Sequence, residues 1–253
     1  MKVSVLSSGS GGNSTLIQSD KSAILIDAGI SGKRIMERLD SLCADAASIS
    51  GLVITHDHSD HINGAGVIAR KLKIPIYIHK ENLENVSHKF EKCEIRLISD
   101  RFSIEEFDIL PFPISHDGTA NYAYNIFSRG KKISHLTDIG IVTTLVRQRI
   151  ADSDLMVLES NHDTEMLKNG PYPWYLKQRI SGNRGHLSNI SASGLIRDTV
   201  PKKLKNLILA HLSKENNDPS LAYDNMTRTK EDLRLDFKLH TAFQDAATEL
   251  VEV

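Results

Sequence analysis

The amino-acid sequence predicts a mixed α/β fold on three observations. Short apolar runs with strand character recur along the chain, helix-like stretches are interleaved with them, and no tandem repeat or low-complexity segment interrupts the series. A chain of 253 residues with 40% hydrophobic content can bury a large core, so residues 1–253 are expected to form one domain.

In chain order, short strands dominate residues 2–27, beginning with Met1-Lys2-Val3-Ser4-Val5-Leu6 and ending with Ala23-Ile24-Leu25-Ile26-Asp27. Helical stretches follow around Ser31 to Leu39 and Gly64 to Leu72, and strands return at Ile74 to His79 and Glu94 to Ile98. A second series begins near Ser103. It comprises strands around Phe107 to Ile114, Tyr122 to Phe127 and Lys132 to Leu136, a helix at Val142 to Ile150 and a strand at Leu155 to Leu158. A helix at Ser188 to Thr199 and a strand at Lys205 to Ala210 complete it. Between them, Asn161 to Arg184 carries Gly170, Pro171, Pro173 and Gly182 and is expected to be an irregular insertion.

The most informative stretch is His56-Asp57-His58-Ser59-Asp60-His61, directly after the apolar run Leu52-Val53-Ile54-Thr55. Residues two apart in an extended segment point the same way, so His56 and His58 can grip one ion. If the chain then turns into a helix, Asp60 and His61 swing to the other side and can grip a second. Histidine with carboxylate suits zinc, manganese or iron, whereas all-oxygen sets suit calcium or magnesium.

Further donors should stand at other strand ends. His116 follows Ile109-Leu110-Pro111-Phe112-Pro113-Ile114-Ser115, Asp138 follows Lys132-Ile133-Ser134-His135-Leu136-Thr137, and His211 follows Asn206-Leu207-Ile208-Leu209-Ala210. Asp27 also ends a strand, and it is expected to buttress the ligand loop rather than to bind metal. His79, His88, His135 and His240 are expected on surfaces or strand faces.

Asp27, the His-x-His-x-Asp-His run, His116, Asp138 and His211 stand in the order and spacing of the metallo-β-lactamase superfamily, which the chain resembles from about residue 3 to 240. The resemblance implies a four-layer αββα sandwich, two sheets face to face with helices outside and metals in a cleft along one edge. It also implies that His56, His58 and His116 hold the first metal, that Asp60, His61 and His211 hold the second, and that Asp138 bridges both. Neither Cys43 nor Cys93 takes a ligand position, and a bridging carboxylate is the pattern of the phosphodiesterase and nuclease branches.

Four segments narrow the resemblance to the YycJ/WalJ exonuclease group: Ser8-Gly9-Ser10-Gly11-Gly12-Asn13-Ser14, Leu158-Glu159-Ser160-Asn161-His162-Asp163, Pro171 to Ile180, and Gly185-His186-Leu187-Ser188-Asn189. What that implies is a metal-dependent exonuclease of duplex DNA, acting 5′ to 3′, with manganese favoured; the donor set itself admits manganese or zinc, and iron. In such chemistry two divalent ions lower the pKa of a shared water, so that hydroxide forms near neutral pH, and they offset charge on the phosphate. Asp60 could also fix the direction of that nucleophile. His186 is the candidate proton donor to the departing sugar oxygen, oriented by Glu159 or His162, although a cap before the helix at Ser188 would also explain it.

For the substrate, the amides around Ser10 and Asn13 could meet a phosphate, though the same residues make an ordinary turn. Trp174, Tyr175, Lys177, Arg179 and Arg184 combine flat rings with cations, which suits nucleic acid or the packing of a loop. A net charge of −1 argues against sequence-blind coating of DNA, and it suits the alternative of a hydrolase of small or cyclic phosphodiesters. A nonenzymatic interaction scaffold is disfavoured, because seven unpaired donors gathered without an ion would cost stability. No run is long enough for a membrane helix, the N-terminus lacks the regions of a signal peptide, and two cysteines without CxxC spacing fit a reducing, cytoplasmic setting.

Overall fold

In the computed structural model, which describes residues 1–253, the first half of the chain runs β1 (Lys2–Ser7), β2 (Ser14–Gln18), β3 (Ala23–Ile26), α1 (Gly32–Ser41), β4 (Ile49–Val53), α2 (Ser59–Ile62), α3 (Ala65–Leu72), β5 (Ile76–His79), α4 (Lys80–Val86) and β6 (Ile95–Ile98). The second half runs β7 (Phe102–Ile104), β8 (Phe107–Pro113), β9 (Tyr122–Ser128), β10 (Lys131–Leu136), α5 (Thr144–Ile150), β11 (Leu155–Glu159), α6 (Thr164–Asn169), α7 (Trp174–Ser181), α8 (Asn189–Thr199), β12 (Asn206–Ala210), α9 (Pro219–Asp232), β13 (Lys238–Thr241) and β14 (Val251–Glu252).

Two seven-stranded sheets result, ordered β14-β1-β2-β3-β4-β5-β6 and β13-β12-β11-β10-β9-β8-β7. The boundary between them falls where the second series of strands was expected, except that β14 returns to pair with β1. Alternation along the strands sets the layers. Val3, Val5, Ile24, Ile26, Phe107, Ile109, Ile133, Leu155, Val157 and Ile208 meet between the sheets. The other face of the first sheet buries Leu25, Leu52 and Ile54 against Ile35 and Leu39 of α1 and Ile68 of α3. The other face of the second buries Leu136, Leu158 and Leu209 against Val146, Leu195 and Met226 of α5, α8 and α9. This is the four-layer αββα sandwich.

The expected strands and helices are present with ends shifted by a few residues. Asn161 to Arg184 differs: it is not irregular throughout but holds α6 and α7. Asp163 caps α6 by accepting from the amides of Glu165 and Met166, and Pro173 precedes α7, where a missing amide proton costs nothing. No residue of α7 is buried, so no apolar stripe marks it in the sequence. Of the other histidines, His79 and His135 lie on strands but are buried, the first stacked on Tyr122 and the second bonded to Thr15 between the sheets. No helix is long and apolar enough to cross a membrane.

One edge of the sandwich collects the carboxyl ends of several strands. β10, β11 and β12 are parallel neighbours, with Leu136 beside Leu158 and Glu159 beside Ala210. They deliver Asp138, Glu159 and His211 side by side. In the facing sheet β3 and β4 are parallel neighbours and deliver Asp27 and the His56 loop.

Candidate metal centre

Three of these strand-end residues, Asp27, Asp138 and His211, adopt left-handed backbone with φ of +59°, +58° and +55°. Such a conformation is sparsely populated for residues with a Cβ, and here it recurs at three of the points where a strand hands a side chain to the same edge. The approach of the loops is equally tight. Gly29 lies so close to the Asp60 carbonyl that any Cβ would sit 1.6 Å from its oxygen.

The seven donors expected from the sequence converge. His56, His58 and His116 form one set with ligand atoms within 4.8 Å of one another, and Asp60, His61 and His211 form a second. Asp138 stands between them, with Oδ2 3.2 Å from His61 Nε2 and Oδ1 3.8 Å from His116 Nε2. His61 Nε2 is also 3.4 Å from Asp60 Oδ2, and His211 Nε2 is 3.9 Å from the same oxygen.

The hydrogen bonds behind the rings decide which nitrogen faces the cleft. Asp27 Oδ2 accepts from His61 Nδ1 at 2.7 Å, and the Gly185 carbonyl accepts from His116 Nδ1 at 3.0 Å. Glu159 Oε1 accepts from Nδ1 of both His186 and His211 at 2.8 Å. Thr55 Oγ1 donates to Asp27 Oδ2 at 2.8 Å, which leaves it an acceptor for His56 Nδ1 at 2.9 Å. In a neutral ring each acceptor fixes the proton on Nδ1 and leaves Nε2 with a lone pair. Such outer partners are the usual anchors of metal-binding histidines. His56 Nε2, His211 Nε2 and Asp138 Oδ2 are buried without any hydrogen-bond partner. Orphaned polar atoms of this kind are costly in a protein interior, and a divalent ion bound by the deprotonated rings and the carboxylate satisfies them.

Asp27 buttresses the ligand loop through three bonds, to the Thr55 amide, the Thr55 hydroxyl and His61. Charge follows the same geometry. Burial works to raise the Asp138 carboxyl, but His211 and His61 beside it hold it well below the usual carboxylate range. Burial likewise opposes ionisation of Glu159, yet His186 and His211 hold it down at about 2. His211 is pushed up to about 10 because Asp138, Asp60 and Glu159 together outweigh burial.

The cleft in front of these donors has a volume of about 240 Å³ and is lined in part by Ser10, His58, Tyr172, Arg179 and His186. His186 is not a helix cap: Ser188 caps α8, and the His186 ring is turned onto Glu159. Other expected site residues sit elsewhere. Asn13 is buried, with its backbone amide donating to the Asp60 carbonyl at 2.7 Å and its side-chain amide to Asp60 Oδ2 at 3.1 Å, so both amides are spent on bracing Asp60. His162 is buried outside the cleft lining, with its carbonyl accepting from the Asn189 amide, which leaves the orienting of His186 to Glu159. Lys177 donates to the Lys168 carbonyl at the end of α6 and does not line the cleft. Trp174 is 71% exposed on α7, beyond the lining residues.

Asp117, which no strand-end pattern singles out, also faces the donors. Its Oδ2 accepts from Arg179 Nε at 2.5 Å, and its Oδ1 faces His58 Nε2 at 3.5 Å and His116 Nε2 at 3.4 Å. Its signal was present as a carboxylate directly after His116.

Comparison with known proteins agrees with this geometry. A family described as "Beta-lactamase superfamily domain" matches residues 22–211. The exodeoxyribonuclease WalJ of Streptococcus pneumoniae is 36% identical, over 100% of this chain and 98% of that protein. The exodeoxyribonuclease YycJ of Bacillus anthracis is 34% identical over 90% of this chain and 89% of its own. Among solved structures, the metallo-β-lactamase fold protein YhfI of Bacillus subtilis superposes with a TM-score of 0.71 at 18% identity, covering 98% of this chain and 99% of that one.

Proposed function

The chain belongs to the metallo-β-lactamase superfamily, and from that premise we propose that it is a metal-dependent phosphodiester hydrolase, an exonuclease that digests duplex DNA from the 5′ end. The observation that carries the hydrolytic chemistry is the set of imidazoles anchored through Nδ1 with their Nε2 atoms turned toward one cleft, those of His56 and His211 without any partner. The full-length likeness to two exodeoxyribonucleases supports DNA as the substrate.

His56, His58 and His116 would hold one divalent ion, Asp60, His61 and His211 a second, and Asp138 both; manganese or zinc suits this donor set, with iron next. When bound, the ions supply Lewis acidity toward the phosphate and a water that is easily deprotonated. The protein does the rest. Asp60, partly exposed to the cleft, accepts a hydrogen bond from the attacking water and sets its direction. Glu159 fixes the His186 ring, whose Nε2 donates the proton to the departing sugar oxygen. Ser10 and Arg179 border the cleft where a neighbouring phosphate would lie, and Trp174 offers a ring for stacking on a base.

The test is digestion of 5′- and 3′-labelled duplex, single-stranded DNA and RNA with manganese, zinc or magnesium supplied. Mononucleotides released from the 5′ end of duplex are expected. The net charge of −1 favours one rival, hydrolysis of small or cyclic phosphodiesters. Turnover of those esters with every polymer left intact would establish the rival.

A further inference from the structure

We propose that Asp117 is a positioning residue, which holds the Arg179 guanidinium at the cleft as a clamp for a phosphate group of the substrate; the inference rests on the phosphodiesterase reading above. Asp117 sits on a pinned turn. The carbonyl of His116 before it accepts from Arg184 Nε at 3.1 Å and from Asn121 Nδ2 at 3.2 Å, and the carbonyl of Gly118 after it accepts from Asn121 Nδ2 at 2.9 Å. Its carboxylate is therefore a fixed point beside the donor set. Arg179 belongs to α7, which has no fully buried residue and whose apolar side meets the cleft only through the half-buried Leu176 and Ile180. The bond from Arg179 Nε to Asp117 Oδ2 supplies a side-chain link between that helix and the cleft.

The arrangement leaves the useful part of the arginine free. Nε is engaged by Asp117, whereas neither terminal amino group takes a partner in the protein. The Arg179 side chain is 59% exposed and lines the same cleft as His58, Asp138 and His186. A guanidinium held by one edge with its other donors open suits a phosphate oxygen, because planar forks bind such oxygens directionally. Asp117 Oδ1 is buried without a hydrogen-bond partner and is turned toward His58 and His116. That oxygen thus faces the first donor set while the other aims the arginine.

Binding of inorganic phosphate to the metal-loaded protein tests this by titration calorimetry, with metal content measured on the same samples. Asp117→Ala and Arg179→Ala should each weaken phosphate binding about tenfold, the size of one charge-assisted hydrogen bond. The double variant should be no weaker than the worse single one, and Asp117→Asn should recover part of the loss, since its amide oxygen still accepts from Nε. Metal content should match the wild type throughout. Additive losses would overturn the pairing, and so would loss of metal in Asp117→Ala, which would assign the carboxylate to the donor set. Phosphate binding that follows the expected pattern in a protein inert on DNA would overturn the nuclease reading alone.

Discussion

One carboxylate oxygen of Glu159 lies 2.8 Å from Nδ1 of His211, and the same oxygen lies 2.8 Å from Nδ1 of His186. Its other oxygen accepts from the amides of Ile139 and Leu187, at 2.9 and 3.0 Å. A fully buried anion thereby joins the loop after β10, the segment before α8 and the residue after β12. Glu159→Gln keeps the shape but removes the charge and presents an amide proton to groups that are themselves donors. Metal affinity should fall by about 10- to 100-fold, the usual cost of losing an outer-sphere partner, as measured by chelator competition. Unchanged affinity would show that His211 needs no such support.

For His186 the expected outcome separates two substrates. If its Nε2 gives the proton to the leaving oxygen, His186→Ala should slow cleavage of DNA by on the order of 100-fold or more, because an alkoxide leaves poorly without one. An aryl phosphodiester, whose phenolate leaves unaided, should lose much less. Measuring kcat on both decides the matter, and equal losses would reduce His186 to a packing role.

Much of the centre was legible from residues 52–61, since an apolar run fixes a strand, and histidines spaced by two at its end share a face. Asp138 and His211 were legible by the same logic, each just past a buried strand. Asn13 was not. Its place under Asp60 depends on Gly29 letting two loops close together, a long-range approach that no local pattern encodes. Helix α7 was hidden because it buries nothing, and Asp117 because its partner Arg179 is distant in sequence. The arrangement of layers came from resemblance, since strand alternation alone does not say which sheet faces which.

Trp174 offers a contrast between stability and binding. A side chain 71% exposed contributes little to the core, so Trp174→Ala should alter unfolding free energy by no more than about 0.5 kcal/mol. Affinity for DNA should fall by about 1–3 kcal/mol if a base stacks on the indole. Urea unfolding and fluorescence anisotropy with a labelled duplex measure the two quantities. A large stability loss with unchanged affinity would mean that the ring packs the insertion instead.

His135 predicts the acid limb of stability in the metal-free protein. It is buried between the sheets, with Nε2 3.1 Å from Thr15 Oγ1 and Nδ1 without a partner. Burial, opposed more weakly by the charge of Asp27, lowers its pKa from 6.5 to about 4. Between those values the unfolded chain holds a proton that the native protein does not. Unfolding free energy should therefore climb with pH across this window, reach its full value above 6.5 and be lost as pH falls toward 4. Each such histidine contributes a slope of about 1.4 kcal/mol per pH unit. His79 and His162, also lowered to about 4, steepen the same limb. His135→Gln keeps a polar side chain beside Thr15 but cannot titrate, so urea midpoints followed across the window should fall less steeply than in the wild type, by the equivalent of one proton. Parallel curves would mean that His135 takes up its proton without unfolding, and that the space between the sheets there admits solvent.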